Sequence, residues 1–305
     1  MKKKIVGLGE VLWDLLPGRA CLGGAPANFA YITTLMGDEG IVASRIGEDA
    51  GGLEALRRME ELGLNIDHVQ TDRDHPTGTV NVELDNKGQG HYEIARPVAW
   101  DFLEWNLDWQ HLAETADAVC FGSLAQRSEG SRVAIGRFLR AASPKTLKVF
   151  DVNLRQSFYS PEILSDSMRQ ADIVKLNDEE LPKIMSLAGF PHEDEISSAQ
   201  RLIREHNLEI VCVTRGCRGS LLVQCAKVNE RLQFNEHPGF KVRVADTVGS
   251  GDAFTAGLIH EYLHGASLEL MNEVANRMGA WVASEAGAMP VPKGGALEHS
   301  LAEIR

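Results

Sequence analysis

Short apolar segments separated by helical stretches limit the fold of this chain more than any other feature. Four such segments, rich in β-branched residues and without polar–apolar alternation, cover residues 118–122, 148–152, 173–176 and 210–214. Segments of this kind are typical of strands that are covered on both faces of a parallel sheet. Helical patterns lie between them, for example over residues 131–142 and 196–206. We therefore expect an α/β fold with a doubly wound, mostly parallel sheet.

The same alternation begins near the N-terminus and is interrupted once. Residues 3–9 and 40–46 have strand patterns, and residues 27–36 and 53–62 have helix patterns. Residues 79–84 and 91–94 instead alternate in polarity around Asp85-Asn86-Lys87-Gly88, which predicts a β-hairpin. We expect residues 1–305 to form one domain, with a small β lid built mainly from about residues 70–100 plus part of 12–22.

The charge balance excludes two classes of partner. The 305 residues include 31 Lys and Arg and 43 Asp and Glu, which gives a formal net charge of −12. A chain this acidic is poorly suited to bind nucleic acid or an anionic membrane through its overall field. It can still bind a small phosphate locally, through backbone amides and a metal ion.

The composition also predicts where the protein works. No apolar run approaches the roughly 20 residues that a membrane-spanning helix needs. The basic start of the chain is not followed by the apolar core of a signal peptide. The five cysteines are scattered without a zinc-binding spacing, so we expect ordinary reduced thiols. These features predict a cytoplasmic protein.

The most informative stretch is residues 246–257, DTVGSGDAFTAG, where a Gly-Ser-Gly turn runs into a helix. Gly249, Ser250 and Gly251 would expose backbone N–H groups at the positive end of the helix dipole, and this arrangement binds anions. Asp252 follows in the first helical turn. It is either a base that takes a proton from a nucleophile aimed at a bound phosphate or only a cap of the helix. The stretch alone leaves both interpretations open.

A second candidate site lies in residues 23–28, GGAPAN. Glycine lets a ligand approach the backbone closely, and Asn28 can both donate to and accept from a sugar hydroxyl. Glu10 and Asp14 lie at the end of the first predicted strand, where open α/β sheets bind ligands. A tight turn with a helix cap would explain the same residues without a ligand, so this alternative also stays open.

These two stretches resemble the two signature regions of the ribokinase family of sugar kinases, also called the phosphofructokinase-B family. Three segments between them resemble further motifs of that family, namely DVNLR at 151–155, NDEE at 177–180 and TRGCRG at 214–219. Each motif is short, but the five occur in register over essentially the whole chain. The resemblance implies a ribokinase-like fold and an ATP-dependent kinase that transfers the γ-phosphoryl group to a sugar hydroxyl.

The resemblance implies a role for each matched residue around the reacting atoms. Asp252 would be the catalytic base, and the amides of Gly249, Ser250 and Gly251 would hold the moving phosphoryl group. The residues that would bind the sugar are Asp14, Gly24, Asn28, Arg96 and Arg155. We therefore expect these side chains and amides to meet in one cleft.

The resemblance also implies where the nucleotide and the cations bind. Asn177 and Glu180 would place Mg²⁺ through water, since Mg²⁺ takes oxygen ligands and retains several waters. A monovalent cation, K⁺, often lies below the anion site in this family. The residues that would border ATP are Thr214, Gly216, Gly219 and Asn276, and those near the monovalent cation are Asp246, Val248 and Gly287. The expected partners are thus a small sugar, ATP and a second copy of the chain, bound as a homodimer through the lid.

The segment 96–101, RPVAWD, bears on the choice of sugar. It resembles the segment after the lid hairpin in bacterial fructokinases and 2-keto-3-deoxygluconate kinases. The keto-acid kinases carry aromatic residues just before the arginine, whereas this chain has Ile94 and Ala95. This difference favours fructose. A 2-keto-3-deoxygluconate kinase, a ribokinase, a nucleoside kinase and a sugar-binding homologue without turnover stay alternatives.

Overall fold

The computed structural model describes residues 2–16, 18–84, 90–191, 193–225 and 231–304. Its strands are β1 (Lys4–Leu8), β2 (Leu12–Leu16), β3 (Arg19–Gly23), β4 (Glu39–Gly47), β5 (Val69–Asp72), β6 (Gly78–Leu84), β7 (Gly90–Ile94), β8 (Ala118–Gly122), β9 (Leu147–Asp151), β10 (Ile173–Asn177), β11 (Ile210–Thr214), β12 (Ser220–Cys225) and β13 (Leu232–His237). Its α-helices are α1 (Ala25–Leu35), α2 (Ala50–Glu61), α3 (Leu107–Thr115), α4 (Glu129–Ala141), α5 (Pro161–Gln170), α6 (Glu180–Leu187), α7 (Glu195–His206), α8 (Ser250–Leu263), α9 (Leu268–Ser284) and α10 (Leu297–Leu301). None of these helices has both the length and the hydrophobicity needed to cross a bilayer.

The main sheet has nine described strands, in the order β13-β12-β11-β10-β9-β8-β1-β4-β5. The strands from β5 to β11 pair in parallel, and β12 and β13 extend one edge in the antiparallel direction. The prediction of an α/β fold with a mostly parallel sheet is therefore confirmed. The order of the strands reverses between β1 and β8, and open sheets of this kind bind ligands at that point, outside the carboxyl ends of the strands.

Two hydrophobic cores cover the two faces of the main sheet. Successive residues of β1 illustrate the division, because Ile5 belongs to one core and Val6 to the other. Helices α3 to α7 pack on one face, with the fully buried Trp109 and Phe138 among their contributions. Helices α1, α2, α8 and α9 pack on the other face. A sheet covered on both faces explains why its strands show no polar–apolar alternation in the sequence.

A second, smaller sheet has four described strands in the order β3-β2-β6-β7. Strand β2 pairs in parallel with β6 and antiparallel with β3, and β6 pairs antiparallel with β7. The strands come from the two parts of the sequence from which we expect a lid. The centre of the predicted hairpin, residues 85–88, lies outside the described residues. That this sheet closes over a substrate stays a prediction.

Candidate active site

A cleft of about 470 Å³ opens between the carboxyl ends of the central strands and the second sheet. This volume is within the range of small-molecule sites. Residues from both sheets and from the start of α8 line it, and they are Glu10, Leu12, Asp14, Gly24, Ala25, Asn28, Val80, Ile94, Leu124, 153–156, Lys175, 247–249, Gly251 and Asp252. The cleft therefore brings together most of the residues that the sequence predicts at the reacting centre and at the sugar.

The start of α8 forms one wall of the cleft. Gly249 precedes the helix with a left-handed φ of 77°, and a Cβ there would lie 2.5 Å from the Cβ of Ala288, so only glycine fits. The first N–H groups of a helix have no acceptor within the helix. The Nζ atom of Lys175 would lie 3.0 Å from a Cβ on Gly251, which places an ammonium group beside this turn. Helix dipole, N–H groups and ammonium all favour a bound anion.

Asp252 is 9% exposed and lies in the first turn of α8, facing the cleft. Its Oδ2 atom accepts a hydrogen bond of 2.8 Å from Nδ2 of Asn28. Burial, and then the charge of Asp151, raise the pKa of Asp252 to about 6. Because the residue before the helix is Gly249 and no side chain caps it, a capping role does not explain Asp252. A carboxylate with this pKa is ionised at neutral pH and well matched to accept a proton.

A buried ion pair lies next to Asp252, and no role was expected for either member, although Asp151 begins the motif at 151–155. Nζ of Lys175 lies 3.1 Å from both carboxylate oxygens of Asp151, and the hydroxyl of Thr255 donates to the same carboxylate at 3.1 Å. Burial opposes the charged form of Lys175, but the carboxylates of Asp151, Glu180 and Asp252 raise its pKa above the ordinary value. The available signal was a lysine inside the otherwise apolar strand segment 173–176.

The opposite wall of the cleft carries more carboxylates. Burial raises the pKa of Asp14 to about 6, although the charge of Arg155 opposes this shift. Burial also raises the pKa of Glu10 to about 7, with a further contribution from the charge of Asp252. Oε2 of Glu10 and Oδ1 of Asn28 are buried without a hydrogen-bond partner in the described structure. Two unpaired acceptors in a cleft suit a ligand that carries hydroxyl donors.

Gly24 allows the chain to turn into α1 directly beside this wall. Its φ is 107°, and a Cβ there would lie 2.4 Å from the carbonyl oxygen of Glu10. A larger residue would force apart the end of β1 and the start of α1. The conformation of Gly24 therefore fixes Asn28, one turn later, opposite Asp252.

Asn177 and Glu180 bond to each other at the start of α6. Oδ1 of Asn177 accepts from the amides of Glu179 and Glu180, and Oε2 of Glu180 accepts from the amide of Asn177 at 2.9 Å. Oε1 of Glu180 accepts from the amide of Leu154 at 2.7 Å. With both oxygens engaged, Glu180 fits a Mg²⁺ ion held through water better than one bound directly. Neither residue lines the cleft, although Glu180 anchors the loop that carries Arg155.

The residues that we expect to border the nucleotide lie close to the end of β11. Thr214 is its last residue, and Gly216 and Gly219 follow with left-handed φ angles of 56° and 81°. A Cβ on Gly219 would lie 1.9 Å from the carbonyl oxygen of His237, so this loop is built for close packing on β13. Nδ2 of Asn276 donates to Oγ of Ser220 at 2.7 Å, which ties α9 to β12.

The remaining predicted residues are placed less centrally. Val248 lines the cleft, and its amide donates to Oδ1 of Asp246 at 3.1 Å, whereas Gly287 borders a separate surface groove. Arg96 is exposed, lies 5.5 Å from the ring of Phe158 and is not among the residues that line the cleft. The structure thus does not bring Arg96 to the other predicted sugar-binding residues.

Comparison with known proteins agrees with this geometry. Residues 19–293 match the pfkB family of carbohydrate kinases. A fructokinase from Escherichia coli is 32% identical over 315 aligned positions, which cover 95% of this chain and 96% of the relative. A sugar kinase from Pyrococcus horikoshii, solved in complex with ATP, is 26% identical, with a TM-score of 0.80 and coverage of 98% and 99%.

A more distant structure shows the same fold. A fructokinase from Vibrio cholerae O395, solved with fructose, ADP and a calcium ion, has a TM-score of 0.77 and 24% identity, and the alignment covers 100% of this chain and 99% of that one. The family match begins at β3 and includes β6, β7, α8 and most of the residues that line the cleft. The chain therefore belongs to the pfkB family of carbohydrate kinases and is a phosphotransferase that uses a sugar hydroxyl as acceptor.

Proposed function

We propose that this enzyme phosphorylates fructose and takes the γ-phosphoryl group from ATP. The observation that carries the proposal is Asp252, a buried carboxylate with a raised pKa at the N-terminus of α8, in a cleft with unpaired acceptors. Asp252 accepts the proton of the attacking sugar hydroxyl as that oxygen bonds to phosphorus. The amides of Gly249, Ser250 and Gly251 hold the charge that develops on the phosphoryl oxygens.

The charge of the cleft supports a neutral sugar over a keto acid. Glu10, Asp14 and Asp252 line the cleft, and Arg155 is the cation that faces Asp14 and Glu10. Lys175 is already paired with Asp151. A substrate carboxylate would meet more negative than positive charge, whereas sugar hydroxyls can donate to Glu10, Asp14 and Asn28. Fructokinases among the relatives agree with this choice.

Arg155 also provides the main argument for the rival substrate. A guanidinium group in the cleft could pair with the carboxylate of 2-keto-3-deoxygluconate. Arg96, which lies outside the cleft wall, offers no second cation for that substrate in the described geometry. We therefore place fructose ahead of the keto acid, ribose and a nucleoside, and we place a catalytic role ahead of sugar binding without turnover.

The nucleotide and the cations belong to the same proposal. Thr214, Gly216, Gly219 and Asn276 border ATP. Asn177 and Glu180 place Mg²⁺ through water, and a bound Mg²⁺ would neutralise charge on the phosphates. Asp246, Val248 and Gly287 would lie near a bound K⁺, which would strengthen the positive field below the anion site.

The second sheet completes the proposal. Its strands β2, β3, β6 and β7 act as a lid that excludes water, which would otherwise accept the phosphoryl group. We also propose that a homodimer forms through this sheet. A cytoplasmic location stays a prediction from the sequence.

A panel of acceptors in an ADP-release assay tests the proposed substrate. Fructose, 2-keto-3-deoxygluconate, ribose and adenosine are compared by kcat/KM with the same enzyme and ATP. We expect fructose to give the highest value by at least about tenfold, since unpaired polar groups in a site discriminate strongly between hydroxyl patterns. A higher value for the keto acid or adenosine would reject fructose, and no turnover with any sugar would favour the binding homologue.

Arg155→Gln in the same assay separates the two leading substrates. If fructose is the substrate, the variant should retain a preference for fructose over the keto acid. If the wild type instead prefers the keto acid and the variant loses turnover of the keto acid, Arg155 pairs with a substrate carboxylate.

A further inference from the structure

Two histidines and one aspartate cluster at the end of α8 that is remote from the cleft. His260 lies in the last turn of α8, His264 is the residue that follows the helix, and Asp38 lies between α1 and β4. One possible ligand atom from each residue lies within 4.8 Å of the other two. At a rise of about 1.5 Å per residue, His260 is about 15 Å along the helix from Ser250. The cluster is therefore separate from the proposed sites for sugar, ATP and cations.

We propose that His260 and His264 bind a divalent transition-metal ion such as Zn²⁺, and that the carboxylate of Asp38 orients His260. Imidazole nitrogen is a preferred ligand of Zn²⁺, Ni²⁺ and Cu²⁺. Histidines at positions i and i+4 of a helix lie on the same face, so both rings can reach one ion. Solvent water completes the coordination.

The hydrogen bond between Asp38 and His260 prepares the first ligand. Nδ1 of His260 lies 2.7 Å from Oδ2 of Asp38. An ionised carboxylate only accepts, so Nδ1 of His260 carries the proton and Nε2 presents a lone pair. Metal-binding histidines are commonly oriented by a carboxylate in this way.

The second ligand has the same tautomer for a different reason. Nδ1 of His264 lies 2.7 Å from the carbonyl oxygen of His260, which can only accept. The proton of His264 is therefore also on Nδ1, and Nε2 is again the atom with the lone pair. The two ring centroids are 4.3 Å apart, and in a tetrahedral zinc site with Zn–N bonds of about 2.0–2.1 Å the nitrogens are about 3.3 Å apart. The two rings are therefore neighbours, as two ligands of one ion must be.

The burial of the cluster provides both rigidity and access. Asp38 is buried, His260 is half-buried and His264 is exposed. The fold holds Asp38, whose Oδ1 also accepts from the amide of Lys3 at 3.2 Å, and Asp38 in turn holds His260. The exposed ring gives an ion a path from solvent. A bound ion would connect α8 to the segment between α1 and β4 through His260 and its partner Asp38.

Zinc titration of the full chain tests this site. ZnCl₂ is added in competition with a chromogenic chelator, without nucleotide or Mg²⁺, to the wild type and to His264→Ala, His260→Ala and Asp38→Asn. We expect one Zn²⁺ per chain whose affinity falls at least about tenfold in each histidine variant, and by about 10–100-fold in Asp38→Asn. His111→Ala, which removes an exposed histidine of α3, is the matched control and should bind as the wild type does.

Thermal unfolding gives a second readout that does not depend on activity. At a free Zn²⁺ concentration of 100 times Kd, we expect Tm to rise by about 4 °C in the wild type, and EDTA should reverse the rise. His264→Ala should show no such rise, and because that side chain is exposed the variant should fold normally. Equal Zn²⁺ affinity and equal Tm shifts in the wild type and in both histidine variants would overturn the proposal.

Discussion

At the scale of single residues, the main feature of the cleft is that its charged side chains are largely buried. Glu10, Lys175 and Asp252, which line the cleft, and Asp151, the partner of Lys175, are each at most 9% exposed. A buried charge is costly unless it is paired and hydrogen-bonded. Lys175 and Asp151 satisfy this condition for each other, and the pair in turn places an ammonium group beside Gly251 and Asp252. Each member therefore offsets the cost of burying the other, and the pair shapes the field in which Asp252 and a phosphate would act.

Replacing Lys175 by Met should affect stability and catalysis together. Lys175→Met leaves the carboxylate of Asp151 buried without its cation, and breaking a buried pair in this way costs about 3–5 kcal/mol. The double variant Asp151→Asn/Lys175→Met should recover much of that loss, because no unpaired charge remains. Urea unfolding of the two variants and the wild type measures the difference. Equal stability of the single and double variants would contradict the account of the pair.

The same double variant separates the two roles of the pair. If the ammonium group contributes to phosphoryl transfer, kcat should stay low in Asp151→Asn/Lys175→Met even where stability is recovered. A stable double variant with wild-type kcat would show that the pair is only structural.

The sequence predicted Asp252, Asn28 and the glycines of the cleft because each stands in a short local motif. The pairing of Lys175 with Asp151 depends instead on the register of two neighbouring strands, in which these residues are directly opposite each other. Such a register cannot be read from either strand alone. The ion pair of Arg127 with the buried Asp101, at 2.7 Å, is a further example, because the two residues come from separate parts of the chain.

Among the helices and strands, α8 contributes most to the geometry of the cleft. Its first turn contributes the N–H groups and Asp252, and its middle packs closely on α9, where a Cβ on Gly257 would lie 3.1 Å from Cα of Ala275. A helix fixed by such close packing holds its first turn in one position relative to β9 and β10. The geometry of Asp252 thus depends on the packing of the whole helix.

The second sheet should change its dynamics when the sugar binds. We expect the amides of β2 and β6 to exchange more slowly with solvent when fructose is present, because residues of both strands line the cleft and would contact the ligand. Hydrogen exchange with and without fructose measures this, and α3, none of whose residues lines the cleft, serves as the internal control. Unchanged protection of β2 and β6 at saturating fructose would contradict a lid.

Sequence patterns identified the buried parallel strands better than the edge of the sheet. The segment predicted at 118–122 coincides with β8, since a strand covered on both faces has an unbroken apolar run. Strands β12 and β13 were not predicted. Most of β13 is exposed or half-buried, so its sequence lacks both the apolar run and a clear alternation. The outermost strand is thus defined by its pairing with β12 rather than by local composition.

At the scale of the whole molecule, the buried carboxylates of the cleft should reduce the free energy of unfolding at neutral pH. The pKa of Glu10 rises from 4.5 to about 7 on folding. Between these values the folded state binds more protons than the unfolded state, so stability falls as the pH rises. The contribution of Glu10 is fully retained below pH 4.5 and is lost as the pH passes about 7.

Glu10→Gln tests this linkage, because the amide does not titrate. Relative to the wild type, the variant should gain stability between pH 4 and pH 8, by up to about 3 kcal/mol for a shift of this size. Urea unfolding at the two pH values measures the gain. The exposed Glu114→Gln should show no comparable gain. If the stability difference between Glu10→Gln and the wild type does not change with pH, folding does not raise the pKa of Glu10.

The turnover of Asp252→Asn tests the central claim most directly. Asparagine keeps the shape of the side chain and one oxygen that can accept from Asn28, but it cannot take a proton at neutral pH. We predict that kcat for fructose falls by at least about 10²-fold while the variant stays folded and still binds ATP. A folded Asp252→Asn variant with kcat near that of the wild type would contradict the assignment of Asp252 as the base.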